Sequence, residues 1–372
     1  MPKQSNDIFS ADAPAIAFSK SDQKWKIDKN VDVGASAAAA VFSKYANSDL
    51  VNKGTVYAYG DVGVYFGRTG AMLLNKETGH ITGGQYGVQF DPFAPTDVKG
   101  TVINHGEIAG LHTGVRNDGM GDFKVENYGE VLGSQNGIYS HAFYAGSTAG
   151  PVIKNYDSIK SEKFAIRLDA DAGLRSKVVN QKNGVIDGGE INDNGGAAVY
   201  VSGGEMTLIN KGKINGDVYG SSLKDTITNS GKIDGHVYLR SGEDTFDNTG
   251  GKVTGLIFTG FGDDKLIAGD AKDKFVFYDA TNIDRIKNFE SGKDKFILTE
   301  GTFGDLVKGP LAKSAFRKGT EAEDGNDRII YDQDSGKLYL DDGVGGDDPV
   351  QFAKVDPGQK LKYSDFAIEL FV

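Results

Sequence analysis

Along the first two-thirds of the chain, short runs of alternating or β-branched residues lead repeatedly into an asparagine. They read "AMLLN", "TVIN", "FKVEN", "PVIKN", "KVVN", "MTLIN" and "DTITN". Alternation over a few residues is the signature of a half-buried strand, with one side chain in and the next out. The asparagines are Asn52, Asn75, Asn104, Asn127, Asn155, Asn180, Asn210, Asn229 and Asn248, at intervals of 23, 29, 23, 28, 25, 30, 19 and 19 residues. Most are followed by a glycine, then Val or Ile, then another glycine, as in "NKGKING" and "NSGKIDG".

Between these copies lies a further short apolar run: "GVYF" at Gly63, "GVQF" at Gly87, "GVRN" at Gly114, "GIYS" at Gly137, "AIRL" at Ala165, "AVYV" at Ala198, "DVYG" at Asp217 and "HVYL" at His236. Each period therefore holds three short strands and no helical periodicity, as a solenoid requires. The predicted fold is all-β: a right-handed parallel β-helix in which each Asn-Gly marks a corner and the following Val or Ile enters a shared core. The Asn is expected to tolerate a left-handed corner backbone and to form an amide ladder with its counterparts, and the Gly to supply positive φ. An antiparallel sandwich would instead need Asn-Gly hairpins with no fixed phrase.

From Thr259 the pattern changes to "TGFGDDKLI" and "AGDAKDKFVF". These fit the calcium-binding nonapeptide G-G-x-G-x-D-x-U-x, through Gly260, Gly262, Asp264 and Leu266, then Gly269, Asp273 and Phe275. Thr259, Ala268 and Ala271 depart from it. A hard cation wants six or more oxygens, which glycine turns supply as carbonyls and aspartates as charged ligands. One turn upstream "RSGEDTFDN" sets Gly242, Asp244 and Phe246 in the same relation, and Asp225 lies nineteen residues before Asp244. The candidate metal ligands are Asp244, Gly260, Gly262, Asp264, Asp273 and Asp284, and the cofactor is Ca2+.

The segment "NIDRIKNFESGKDKFIL", the hairpin-like "DRIIYDQDSGKLYLDD" and the end "ELFV" resemble the carboxyl-terminal part of haemolysin-type calcium-binding (RTX) proteins, serralysin-like proteases included. Asp284, Ile286, Phe289, Gly292, Asp294 and Lys295 fill the capping element of that family, and Asn288 stands where it often has an Asp. The resemblance implies a short calcium β-roll closed by a carboxyl-terminal β cap, and bacterial type I export of an unfolded chain. The expected organisation is an amino-terminal cap and first rung over 1–50, β-helix repeats over 51–258, the calcium roll over 259–277 and the β cap with its secretion signal over 278–372.

Composition narrows the partners. Net charge is −11, from 52 acidic and 41 basic residues, so nucleic acid and anionic lipid are poor partners and divalent cations good ones. Cysteine is absent, which removes disulfides and thiolate sites. No apolar segment reads as a membrane span or an amino-terminal signal peptide. The five histidines stand singly, with no H-E-x-x-H. The reading is a secreted, extracellular surface or matrix protein, served by the type I secretion apparatus, that adheres to polysaccharide or assembles with itself. No catalytic residue is assigned. Tyr65, Tyr86, Tyr139, Tyr200, Tyr219 and Tyr238 form a candidate sugar-stacking stripe, although a core or wall ladder is the simpler reading of them. The alternative is a polysaccharide lyase or epimerase on uronate-rich glycans, with Arg116 and Asp118, or Arg167, Asp169 and Asp171, as the nearest approach to an acid-base cluster.

Overall fold

The computed structural model describes residues 1–91, 99–119, 121–142, 149–189, 196–303, 306–341, 343 and 349–370. Among them there is no α-helix, only two short 3-10 turns, Lys313–Ala315 and Tyr363–Asp365, and no helix long and apolar enough to cross a membrane. The chain divides into two compact units, Met1–Val218 and Tyr219–Val372.

The first unit is a parallel β-helix. Its chain visits three sheets in rotation, and every strand pairs in parallel with its counterpart one coil away. Strands ending at the repeated asparagine make the first sheet: Asp49–Asn52, Ala71–Asn75, Lys99–Asn104, Asp122–Asn127, Ala149–Asn155, Arg175–Asn180 and Glu205–Asn210. The strands just after the asparagine make the second, from Thr55–Ala58 through His80–Gly83 and Glu107–Gly110 to Lys213–Asn215. The third runs from Val64–Phe66 and Tyr86–Phe90 to Ala197–Ser202. Residues before Asn52 do more than cap this stack. They form two coils of their own, with strands in all three sheets.

Alternation puts one side chain of each pair inside. In Ala71–Asn75, Ala71, Leu73 and Asn75 are buried while Met72 and Leu74 face out. The Val or Ile after each Asn-Gly forms an unbroken buried column, Val56, Ile81, Ile108, Val131, Ile159, Ile186 and Ile214. Each contributes about 1.5–3 kcal/mol by leaving water.

The asparagine ladder is present, but its corner geometry differs from expectation. Nδ2 of each Asn donates to Oδ1 of the next: Asn52 to Asn75 (2.9 Å), Asn75 to Asn104 (2.8 Å), Asn104 to Asn127 (2.9 Å), Asn127 to Asn155 (2.9 Å), Asn155 to Asn180 (3.0 Å) and Asn180 to Asn210 (2.9 Å). The same nitrogens reach backbone carbonyls, as Asn127 does to Gly129 (2.8 Å) and Ser158 (2.8 Å). None of the nine ladder residues has positive φ, and of the glycines that follow them Gly250 has, at φ 75°. Elsewhere the glycine is needed for close approach: a Cβ on Gly54 would fall 2.2 Å from the Val31 carbonyl oxygen, and one on Gly106 2.1 Å from that of Gly79.

The second unit begins with the same three-strand coil. Its second sheet ends at Lys252–Val253, and beyond it each coil has two strands. The third-sheet strands Ile257–Phe258, Lys274–Phe277 and Lys295–Thr299 pair in parallel, and so do the first-sheet strands Thr245–Asp247, Lys265–Ile267 and Asp284–Lys287. This is a β-roll. The residues after it close both sheets. Val350–Val355 pairs with Asp284–Lys287, and Phe366–Glu369 with Lys295–Thr299. The expected hairpin is there as Ile329–Asp332 against Lys337–Leu340, turned by Gly336 at φ 79°. It anchors on Tyr331, fully buried, whose hydroxyl donates to the Gln359 carbonyl at 2.8 Å. Phe371 and Val372 of the "ELFV" end lie outside the described residues.

Candidate metal centre

All the candidate ligands lie in the second unit, but on two sides of the roll. Asp264 and Asp273 occupy opposite turns, because one strand, Lys265–Ile267, separates them. Stacking therefore pairs each with an aspartate a full coil away, and not with the other.

On the first side Asp225, Asp244, Asp264 and Asp284 form a column, each at the start of a first-sheet strand. Asp225 N–H donates to Asp244 Oδ1 (2.7 Å), Asp244 N–H to Asp264 Oδ1 (2.8 Å) and Asp264 N–H to Asp284 Oδ1 (3.0 Å). All four side chains are buried. The glycines ahead of them are fixed by both φ and space. Gly262 has φ 117°, and a Cβ there would fall 1.8 Å from the Gly242 carbonyl oxygen. Gly260 has φ 96° and would place a Cβ 1.8 Å from that of Arg240. The turns of consecutive coils nest: Ser241 bridges Phe261, and Gly242 N–H donates to the Phe261 carbonyl at 2.9 Å. Arg240, in the position corresponding to Gly260, is itself held at φ 77°, a strained choice for a residue with a Cβ.

One oxygen of each middle aspartate has no partner. Oδ2 of Asp244 and Oδ2 of Asp264 are buried and unbonded. Asp225 differs, because Ser221 donates to both its oxygens through its N–H and its hydroxyl. The glycine-bearing turns before Asp244 and Asp264 put no side-chain donor there. Burial first, then the neighbouring carboxylates, pushes Asp244 up to about 8 and Asp264 up to about 9; burial takes Asp284 up to about 7. A stack of buried carboxylates with unbonded oxygens is costly without a positive charge between them. The donors are all hard oxygens, the type a calcium-like ion takes, and Asp244 and Asp264 are the residues that could offer it charged ligands. Among the described residues no three His, Asp or Glu side chains converge into a ready-made metal cluster, so carbonyls must complete any such shell.

On the opposite side the asparagine ladder turns into aspartates. Asn229 Nδ2 donates to Asn248 Oδ1 (2.7 Å) and Asn248 Nδ2 to Asp273 Oδ1 (2.8 Å); Asp273 N–H then donates to Asp294 Oδ1 (3.0 Å). Both Asp273 oxygens are engaged, since Gly269 N–H donates to Oδ2 at 2.8 Å. Burial still takes its carboxyl up to about 6. Glu290 N–H donates to Asp294 Oδ2 at 2.8 Å. Asp273 is thus a ladder residue with a hydrogen bond on each of its oxygens. Asp365 and Ser221 are polar residues the motif reading left unassigned; it placed Asp294 in the capping element, and the coil-length interval from Asp273 to Asp294 was the signal for its partner. Asp365 ties the cap to the roll by accepting from Ser291 Oγ (2.7 Å) and Gly292 N–H (2.8 Å).

The arginine and aspartate pairs of the first unit form ion pairs within the third-sheet wall. Arg116 Nε donates to Asp118 Oδ2 at 2.6 Å, and its guanidinium lies 4.8 Å from the Tyr86 ring and 5.0 Å from that of Tyr139. Arg167 Nε donates to Asp169 Oδ2 at 3.0 Å among Phe164, Tyr139 and Tyr200. Tyr65, Gln89, Arg116, Tyr139, Arg167 and Tyr200 share one register column. Burial holds the Tyr139 phenol above its usual value, with Asp169 adding to it. In the second unit Tyr219, Tyr238 and Phe258 stack at 4.2 and 4.4 Å. Ring faces in these ladders are turned to the neighbouring coil.

The fold and site together define a parallel β-solenoid carrying a buried aspartate stack. No family model matches the chain, and neither the curated proteins nor the solved structures contain a match to it.

Proposed function

We propose that the chain is a secreted, calcium-binding β-solenoid of the cell surface or matrix, acting in adhesion or self-assembly, exported unfolded by a type I apparatus and folding on extracellular calcium. The observation that carries the calcium reading is the pair of buried, unbonded oxygens, Asp244 Oδ2 and Asp264 Oδ2. Asp284 extends the same column, and Gly260 and Gly262 shape the turn beside it. The RTX-like motifs support this assignment and the export route.

Calcium, when bound, supplies the positive charge that lets these carboxylates stay ionised inside the fold. The aspartates keep one oxygen each on a backbone N–H of the preceding coil and present the other inward. A ligand that binds only the folded state adds about 2.7 kcal/mol per site at one hundred times its Kd. Scarce cytosolic calcium then leaves the chain unfolded for export, and extracellular calcium closes the roll. From a closed roll, coils can add by nearest-neighbour stacking.

Circular dichroism in chelator and in millimolar calcium, followed by light scattering, tests this reading. Calcium is expected to raise Tm and the β signal, and growth in scattering would identify assembly as the mature role. An identical melt in both buffers would overturn it. Product release from uronate polymers, abolished by Arg116→Ala, would replace it with the lyase alternative.

A further inference from the structure

We infer that Phe9, Tyr57 and Tyr59, on the outer face of the second sheet in the first unit, form a platform that binds a neutral sugar residue of a polysaccharide. The adhesive role proposed above gives this inference its setting, while the geometry of the platform stands by itself.

The three rings are arranged unlike the wall ladders. Phe9, Gly34 and Tyr57 share one register column on consecutive coils. A Cβ on Gly34 would fall 2.3 Å from Tyr57 Cζ and 2.6 Å from its hydroxyl oxygen. The Tyr57 ring therefore lies back across the glycine coil, flat on the sheet, and does not stand edge-outward between neighbours. The Phe9 ring follows it at 6.3 Å and 27°. Tyr59, just past the strand end, stands at 68° to Tyr57 with centroids 5.4 Å apart. A floor and a wall of aromatic surface result, with Tyr59 71% exposed and Phe9 54% exposed. On the next coils the column continues as Thr82 and Ala109, small side chains that leave the face open.

Polar groups at the rim decide the ligand class. Asp7 and Asp32 adjoin the rings, joined by the Asp32 N–H donating to Asp7 Oδ1 at 2.9 Å. Both lie close enough to Tyr57 to act, after partial burial and Tyr59, in holding its phenol above the usual value. Among the described residues neither carboxylate has a cationic partner. Carboxylates and phenols accept and donate to sugar hydroxyls, ring faces pack against the C–H face of a pyranose, and the unpaired negative charge repels uronates and sulfated glycans.

The full-length chain in calcium buffer, titrated calorimetrically with cellohexaose, laminarihexaose, mannohexaose and an oligogalacturonate, tests the platform. At least one neutral hexaose is expected to bind at millimolar concentration or below, and the oligogalacturonate to bind more weakly. Tyr59→Ala, at an exposed position, and Tyr57→Ala should each weaken binding roughly three- to tenfold. Gly34→Ala should do the same by lifting the Tyr57 ring, with an unchanged circular dichroism spectrum. Failure of all three neutral sugars to bind, preference for the uronate, or unchanged affinity in Tyr59→Ala would overturn the inference. The calcium shift in Tm on the same samples separates the two proposals: sugar binding lost with that shift intact removes the platform alone, and the reverse removes the calcium site alone.

Discussion

Replacing Asp264 by asparagine tests the aspartate stack with almost no change of shape. The amide oxygen keeps the acceptor for Asp244 N–H, held at 2.8 Å in the wild type, and the charge disappears. In chelator at pH 7, folding must neutralise a carboxyl that ionises near 3.8 when unfolded and near 9 when folded. At 1.36 kcal/mol per pH unit this costs the wild type about 4 kcal/mol. The new amide N–H2 replaces an oxygen that had no partner and gives back about 1–3 kcal/mol of that as an unsatisfied buried donor. The variant should therefore be more stable than wild type without calcium by about 1–3 kcal/mol. For a unit of this size that raises Tm by about 2–4 °C per kcal/mol. On the proposed calcium assignment the order reverses in calcium, because the variant would lack a charged ligand and respond less. Differential scanning calorimetry of both proteins in both buffers gives the four values. A variant that melts lower than wild type in chelator would refute the argument that Asp264 is a buried, uncompensated charge.

Other outcomes follow from the same structure. In chelator, stability should fall as pH rises from about 4 to about 9, because Asp244 and Asp264 bind protons more tightly folded than unfolded; calcium should flatten that profile, and thermal melts across the range would show a rising profile if the sign is wrong. Asn127→Ala removes donors to Asn155, Gly129 and Ser158 and should cost roughly 3 kcal/mol or more by urea unfolding; a loss within experimental scatter would mean that the ladder carries no stability. Ile159→Ala, at a fully buried column position, should cost about 2–5 kcal/mol in the same assay. Gly262→Ala forces a Cβ against the Gly242 carbonyl at φ 117° and should abolish the calcium-induced rise in Tm while leaving the first unit's β signal in place.

Much of this architecture was legible in the sequence because a solenoid repeats its own physics. Nine asparagines in phase located the ladder, and the Val or Ile four to six residues later located the buried column. What the sequence left open depends on three-dimensional stacking. Whether Asp264 faces Asp273 or Asp284 turns on one coil having two strands and not three, and the ending of the second sheet at Val253 has no single-residue marker. The ladder's glycines were expected to supply positive φ; Gly250 does, but Gly54 and Gly106 instead admit a neighbouring carbonyl, a contact between residues far apart in sequence. The tyrosines in the obvious stripe, Tyr139 and Tyr200 among them, proved to be wall residues with Arg167 between them. The platform of Phe9, Tyr57 and Tyr59 had no marker in the sequence, because only Gly34, one coil back, lets Tyr57 lie flat.

The aspartate stack is tested most directly by diffraction from crystals grown in calcium. The account predicts an ion about 2.3–2.6 Å from Oδ2 of both Asp244 and Asp264, with backbone carbonyls of the 240–243 and 260–263 turns filling its shell. Density showing the two carboxylates hydrogen-bonded to each other or to water, with no ion between the coils, would contradict it.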